Sequence, residues 1–116
     1  MDITLEEIRK TVLAFRNARD WKQFHDPKNL AEAISIEAGE LLQNFLWKTT
    51  LESKQPTEKE LENIRQEMAD IFIYILYLCE ELDINVLQEV ENKIRLNETK
   101  YPVSEAKGTS KKYTEL

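Results

Sequence analysis

The sequence predicts an all-α protein with a four-helix bundle-like fold. Its 116 residues include only two glycines and three prolines, whereas an all-β chain needs many turn residues. Apolar residues recur at helical spacing in four segments, and each segment follows a residue that caps helices well. The length and the composition, 41% hydrophobic and 33% charged, are typical of one globular domain.

The first two predicted helices occupy the N-terminal half. Thr4-Leu5-Glu6-Glu7 forms a capping box that opens helix one. After a polar, aromatic loop, Asp26-Pro27 opens helix two, which we expect to run to about Trp47. The expected apolar stripes are Ile8, Val12 and Phe15 in helix one and Leu30, Ile34, Leu41 and Phe45 in helix two.

Helix three is the most apolar segment. Beyond a polar connector, residues 48–56, a second capping box at Thr57-Glu58-Lys59-Glu60 opens it, and we expect it to end near Leu82. Periodicity alone does not separate the run Ile71 to Cys79 from a buried strand, but no glycine or proline occurs from 57 to 101. A helix that is apolar on nearly all sides must be covered on several sides, so we expect subunits to associate.

The fourth predicted helix is capped by Asn85 with Gln88 and ends at Pro102. Residues 103–116 are polar and show no helical stripe. We therefore predict a helical catalytic domain over residues 1–102 and a polar C-terminal tail over residues 103–116.

Charge and hydropathy exclude several functions. The net charge of −6 argues against binding to a nucleic-acid backbone. The longest apolar run, Ile71 to Cys79, is much shorter than the roughly 20 residues that span a bilayer. Residues 1–10 do not resemble a signal peptide, and the single cysteine, Cys79, suits a reducing compartment. We expect a cytoplasmic protein with no nucleic-acid or membrane partner.

Two acidic pairs are the chemically informative feature: Glu37 with Glu40 in helix two, and Glu67 with Asp70 in helix three. The i,i+3 spacing places both members of a pair on one side of a helix. Buried carboxylates need a cationic partner or a metal, and these faces carry no row of lysines or arginines. Oxygen ligands of this kind suit Mg²⁺ or Mn²⁺, although acids at helix edges are also commonly just solvated. A di-iron bundle needs two Glu-x-x-His motifs, and the chain has only His25.

The spacing of these pairs resembles the metal motif of the MazG-like, all-α nucleoside triphosphate pyrophosphohydrolases, and the chain is most similar to the dCTP pyrophosphatase branch. The segments that carry the resemblance are Thr4–Arg9, Arg19–His25, Glu37–Leu41, Phe45–Thr49, Asp70–Tyr74 and Lys111–Leu116. The resemblance implies a magnesium-dependent hydrolase that converts a nucleoside triphosphate to its monophosphate and pyrophosphate. Its role is either cleansing of the nucleotide pool or pyrimidine balance. The resemblance also implies a homotetramer, with a dimer as the smaller alternative.

The resemblance further implies a role for individual side chains. Glu37, Glu40, Glu67 and Asp70 hold the metal, and Glu37 or Glu40 also relays a proton. The residues implied to line the nucleotide pocket are Trp21, Lys22, Gln23, Phe24, His25, Trp47 and Tyr74, and those near the phosphates are Lys93, Asn97 and Tyr101.

The chain matches the family pattern in its tail and departs from it at Ile36 and Val12. The similarity of the tail, Lys111–Leu116, suggests that it folds over the site. Ile36 replaces a further glutamate that many members have. Val12 stands where the animal enzymes of the branch have a pocket histidine.

Two alternatives differ from a dCTP pyrophosphatase. One is a pyrophosphohydrolase of another small nucleotide, such as one of the histidine pathway, and the other is a non-catalytic helical interaction module. The four acids argue against the module because packing does not need them. Trp21, Trp47 and Tyr74 favour a planar base, because aromatic faces stack on bases. We expect that base to be a pyrimidine.

Overall fold

The computed structural model describes residues 2–116, which contain helices and no strand. The helices are α1 (Leu5–Ala18), α2 (Pro27–Gln43), α3 (Thr50–Ser53), α4 (Glu58–Leu82), α5 (Val86–Lys100) and α6 (Val103–Ala106), with 3₁₀ turns at Lys22–Phe24 and Tyr113–Glu115. The predicted all-α class is confirmed. Within the described residues, no helix combines the length and the apolar character needed to cross a membrane.

The starts of all four long helices lie where the sequence predicted them, and a side chain caps each one. At α1, Thr4 Oγ1 accepts from the Glu7 amide at 3.1 Å, and the Glu7 carboxylate accepts from the Thr4 amide at 2.9 Å. The same reciprocal pair forms at Thr57 ahead of α4. Single caps by Asp26 and Asn85 open α2 and α5. These bonds satisfy amides that have no partner inside the first turn.

The predicted end of helix two near Trp47 is wrong, because α2 ends at Gln43. The side-chain amide of Asn44 donates to the carbonyls of Glu40 and Leu41, at 3.2 and 3.3 Å. It thereby satisfies carbonyl groups that a longer helix would have bonded internally. Trp47 then adopts a left-handed φ of 65°, which is incompatible with a continuing helix.

Two segments predicted without helix contain short helical turns. The connector over residues 48–56 includes α3, which a capping box between Thr49 and Glu52 opens. The tail over residues 103–116 includes α6 and a 3₁₀ turn at Tyr113–Glu115. Each is only about one turn long, and so too short to show an apolar stripe in the sequence.

The chain forms two compact units, the first ending at Asp83 and the second covering Ile84–Leu116. In the first unit α2 lies along α4, and α1 also packs on α4. The core joins all three helices through Val12, Leu30, Leu76 and Tyr77. The Tyr77 hydroxyl donates to the Val12 carbonyl at 2.8 Å and so ties α4 to α1.

The second unit consists of α5, α6 and the C-terminal 3₁₀ turn. The ring centroids of Tyr101 and Tyr113 lie 5.9 Å apart in an edge-to-face arrangement, and the Lys100 ammonium lies 4.6 Å from the Tyr113 ring. These contacts hold the end of the chain against the C-terminal end of α5.

Candidate functional site

The packing of α2 on α4 brings the two acidic pairs together. Glu37, Glu67 and Asp70 each offer a carboxylate oxygen within 4.8 Å of the other two. Glu37 and Glu67 are half-buried, whereas Asp70 is exposed. Glu40 lies outside this trio and is exposed, although it is close enough to raise the pKa of Glu37.

The electrostatics of the trio are unfavourable without a cation. Burial, then the carboxyl groups of Glu67, Glu40 and Asp70, raises the pKa of Glu37 to about 7. Oε2 of Glu37 and Oε2 of Glu67 are buried and have no hydrogen-bond partner among the described residues. Over residues 2–116, no lysine or arginine forms a salt bridge with any of the four acids. Buried oxygens without a partner, in an all-oxygen donor set, fit a divalent cation such as Mg²⁺.

A cavity of about 310 Å³ opens beside the acids. Its walls come from α1, from the loop after α1 and from α4, and its lining residues are Thr11, Val12, Phe15, Trp21, His25, Asp70, Ile73, Tyr74 and Tyr77. Asp70 belongs to both the cavity and the acidic trio. The pKa of Tyr74 is raised by burial and then by the charges of Glu37, Asp70 and Glu40, which places its phenol near the acids. One ligand can therefore occupy the cavity and reach the trio.

Most of the cavity wall is aromatic. Phe15 and Trp21 meet edge-to-face with ring centroids 5.7 Å apart. The His25 ring lies 4.7 Å from the Tyr77 ring, and Tyr74 lies 6.4 Å from Tyr77. Rings around an open space suit a flat ligand that stacks on one of them.

The loop that carries Trp21 and His25 is held by its own polar side chains. Asp20 turns the chain with a φ of 55°. The Gln23 amide donates to the Asp20 carbonyl at 2.9 Å and to Asp20 Oδ2 at 3.1 Å. Asn29 Nδ2 donates to the Phe24 carbonyl at 3.1 Å. Gln23 thus shapes the loop, whereas the sequence had assigned it to the nucleotide.

The structure brings together only part of the predicted pocket. Trp21, His25 and Tyr74 line the cavity, whereas Lys22, Gln23 and Phe24 do not. Trp47 is 92% exposed and also lies outside it.

Lys48, which follows Trp47, contacts the N-terminal part of α4. Lys48 forms an ion pair with Glu60, which precedes Asp70 by ten residues in α4. At the α-helical rise, Glu60 and Asp70 are about 15 Å apart along the axis. The Lys48–Glu60 pair thus ties the segment next to Trp47 to the N-terminal part of α4, whereas the cavity is lined by residues 70–77 of that helix.

The three residues predicted near the phosphates all belong to the second unit. Lys93 and Asn97 lie one turn apart on α5, and Tyr101 follows its last residue. Lys93 is exposed, and Asn97 and Tyr101 are half-buried.

Five cavity residues were not predicted as site residues: Thr11, Val12, Phe15, Ile73 and Tyr77. Phe15 had been assigned to the buried stripe of helix one, but it is 46% exposed and faces Trp21. Tyr77 follows Tyr74 by three residues, so helical periodicity places both on one face of α4. That spacing was the signal available in the sequence.

Comparison with known proteins gives consistent similarities. The profile of the MazG-like family matches residues 33–116, which include all four acids. The dCTP pyrophosphatase 1 proteins of Mus musculus and Homo sapiens are each 37% identical to this chain over 115 residues, covering 97% of this chain and 68% of the relative. A crystal structure of a pyrophosphatase from Archaeoglobus fulgidus is similar with a TM-score of 0.82 and 39% identity, covering 88% of this chain and 95% of that chain.

Proposed function

The chain belongs to the MazG-like family, and we propose that this nucleoside triphosphate pyrophosphatase acts on dCTP or a modified dCTP with Mg²⁺ or Mn²⁺. The products are the nucleoside monophosphate and pyrophosphate. One observation carries the proposal: the acidic trio, with two buried and unpartnered oxygens, forms one side of an aromatic cavity. The related dCTP pyrophosphatases support the substrate class.

The acids provide the phosphate end of the site. Glu37, Glu67 and Asp70 would hold the cation, with Glu40 completing the set. When bound, the cation would neutralise charge on the phosphate oxygens and lower the pKa of the attacking water. The water oxygen attacks phosphorus, the anhydride bond between the α and β phosphates breaks, and the water proton passes to a carboxylate. Of the two candidates for that proton, Glu37 and Glu40, only Glu40 lies outside the trio and is exposed.

The aromatic cavity provides the base end. Trp21 and Tyr74 offer ring faces, and His25 offers ring nitrogens that can bond to a base edge. Asp70 lines the cavity and also belongs to the acidic trio. A nucleotide whose base occupies the cavity can therefore place its phosphates at the cation site. Lys93 and Asn97 lie one turn apart on α5, and their side chains are of types that bind phosphate oxygens.

A nucleotide panel assayed for pyrophosphate release tests this function. We expect dCTP to be hydrolysed with Mg²⁺ present, no release after chelation, and lower kcat/KM for dATP and dGTP. Equal efficiency with purine triphosphates would contradict the pyrimidine preference but not the enzyme class. Release from no triphosphate would support the helical interaction module.

Association is the second part of the proposal: we expect a homotetramer, with a dimer as the smaller alternative. Exposed apolar side chains lie one turn apart on α4, Met68 and Phe72, and along one face of α5, Leu87, Val90 and Ile94. Apolar faces of this kind mark contacts between proteins. Light scattering at micromolar concentration should give four times the 13.7 kDa subunit mass, or twice that mass for the dimer.

A pair of variants locates the contact. Phe72→Glu should shift the mass towards smaller species, because it places a charge in the apolar face. Ile3→Glu is the matched control, since Ile3 is 69% exposed and lies ahead of α1. A monomeric mass for the unaltered protein would contradict the proposal.

A further inference from the structure

One buried charge is not explained by the acidic trio. Arg16 of α1 is 3% exposed, and it is the only charged side chain among the described residues that is buried. Its Nη1 donates to Glu81 Oε1 of α4 at 3.2 Å, and its Nε donates to Asn17 Oδ1 at 3.1 Å. A buried ion pair is often no more stabilising than apolar side chains of similar size, so stability is a weak reason for its presence.

Arg16 contacts both sides of the aromatic cavity. Its carbonyl accepts from the Trp21 amide at 3.1 Å, where the loop leaves α1. Its guanidinium lies 5.7 Å from the centre of the Tyr77 ring. The same ring packs against His25, at 4.7 Å, and its hydroxyl is fixed on the Val12 carbonyl. The bond to Trp21 is made by the main chain, whereas the side chain of Arg16, through Glu81, fixes the end of α1 from which the loop starts.

The Arg16–Glu81 pair also influences the pKa of His25. Burial lowers the pKa of His25, the positive charge of Arg16 lowers it further, and the negative charge of Glu81 opposes both. These two groups, from α1 and α4, are the charges that face the ring, and Tyr77 is its neutral neighbour. A neutral imidazole has one donor and one acceptor nitrogen, and both are useful for reading a base edge.

We propose that the Arg16–Glu81 pair is a positioning device for the nucleobase: it holds Trp21, His25 and Tyr77 as one wall of the cavity. Arg16 acts through these residues and does not touch the substrate. The ligand chemistry implied is a planar, uncharged base, since a neutral histidine and aromatic rings recognise it. The proposal rests on the proposed nucleotide function of the cavity.

The first test measures the only histidine of the chain by NMR titration of the full-length, metal-free protein. Arg16→Met removes the charge that lowers the pKa of His25, so that pKa should rise. Glu81→Gln removes the opposing charge, so the pKa should fall. Shifts of opposite sign would show that both charges face the ring, and the comparison of KM with kcat below distinguishes positioning from a pair that only holds the helices together. Unchanged titration in both variants would overturn the proposal.

The control is Arg9→Met, which breaks the exposed Arg9–Glu80 pair. That pair has a distance of 2.8 Å and also connects α1 with α4, but neither residue lines the cavity. Its loss should leave the His25 titration unchanged. A shift as large as that of Arg16→Met would show that general loosening of α1, and not the buried pair, controls the ring.

The second test separates KM from kcat. Arg16→Met should raise the KM for dCTP about tenfold, because small misplacement of binding groups is costly, with little change in kcat or in the Mg²⁺ requirement. Arg16→Met/Glu81→Met restores an apolar pair if the single variant folds poorly, and it should show the same raised KM. Wild-type KM in a folded variant would overturn the positioning role alone. Absence of hydrolysis in the unaltered protein would instead contradict the proposed function, while the NMR result would still stand.

Discussion

Replacing any one of the four site carboxylates with its amide is expected to lower kcat/KM by at least about 100-fold. Even mutation of a residue that only hydrogen-bonds to a metal ligand typically lowers metal affinity or activity about 10–100-fold. The variants are Glu37→Gln, Glu40→Gln, Glu67→Gln and Asp70→Asn. Each removes a negative oxygen that the cation needs. Steady-state pyrophosphate release at saturating Mg²⁺ measures the loss.

The Glu37→Gln variant should not be less stable than the unaltered protein in the absence of metal. Glu37 has its pKa raised to about 7 by burial and by the neighbouring acids, so its ionised form is disfavoured in the folded protein. Glu37→Gln removes that repulsion, and the melting temperature of the metal-free protein should stay constant or rise. Mg²⁺ with a non-hydrolysable triphosphate should raise the melting temperature of the unaltered protein and not that of the variant.

Matched controls lie on the same two helices. Glu32→Gln on α2 and Glu62→Gln on α4 change exposed acids that pair with Lys28 and Arg65 on their own helices, away from the trio. Both should keep wild-type turnover. Normal turnover in two of the four site variants would contradict the assignment of the metal ligands.

The starts of the helices could be predicted from the sequence because the signals for them are local. A capping box such as that of Thr4 lies within four residues, so the starts of the helices could be placed from short segments. The end of α2 could not, because it depends on how the Asn44 side chain turns back on the helix. An asparagine side chain bonds to nearby backbone groups in turns and at either end of a helix, so its identity alone does not show that the helix stops there.

The acidic site could be predicted because helical spacing and the cost of burial both act on short motifs. That Glu37 and Glu67 act together was implied by the family resemblance, and in the structure their meeting results from the packing of α2 on α4. The Arg16–Glu81 pair joins residues that are 65 positions apart, and no local pattern indicates it. The amide of Gln23 bonds to Asp20 in the same loop, and residue type alone does not distinguish such a bond from one to a ligand.

Loss of a stacking residue from the aromatic cavity should weaken substrate binding. Trp21→Ala should raise the KM for dCTP about tenfold or more, since one base–aromatic stack is worth roughly 1–3 kcal/mol. The change in kcat should be smaller, because the acids are untouched. Phe24→Ala is the matched control, since Phe24 belongs to the same loop but is 61% exposed and does not line the cavity. Equal KM values for Trp21→Ala and the unaltered enzyme would show that the base binds elsewhere.

Trp47 provides the sharpest comparison with Trp21. It is 92% exposed and does not line the cavity of its own subunit, and a base contact supplied by a second subunit is the arrangement that mixed oligomers test. If it acts in that way, Trp47→Ala should also raise the KM about tenfold, in the range of one lost stack. Mixed oligomers of Trp47→Ala subunits with inactive Glu37→Gln subunits should then recover a low-KM fraction, because the inactive partner supplies the intact tryptophan. A mixture that keeps the high KM throughout would place Trp47 outside the nucleotide pocket, leaving Trp21 and Tyr74 as the stacking residues.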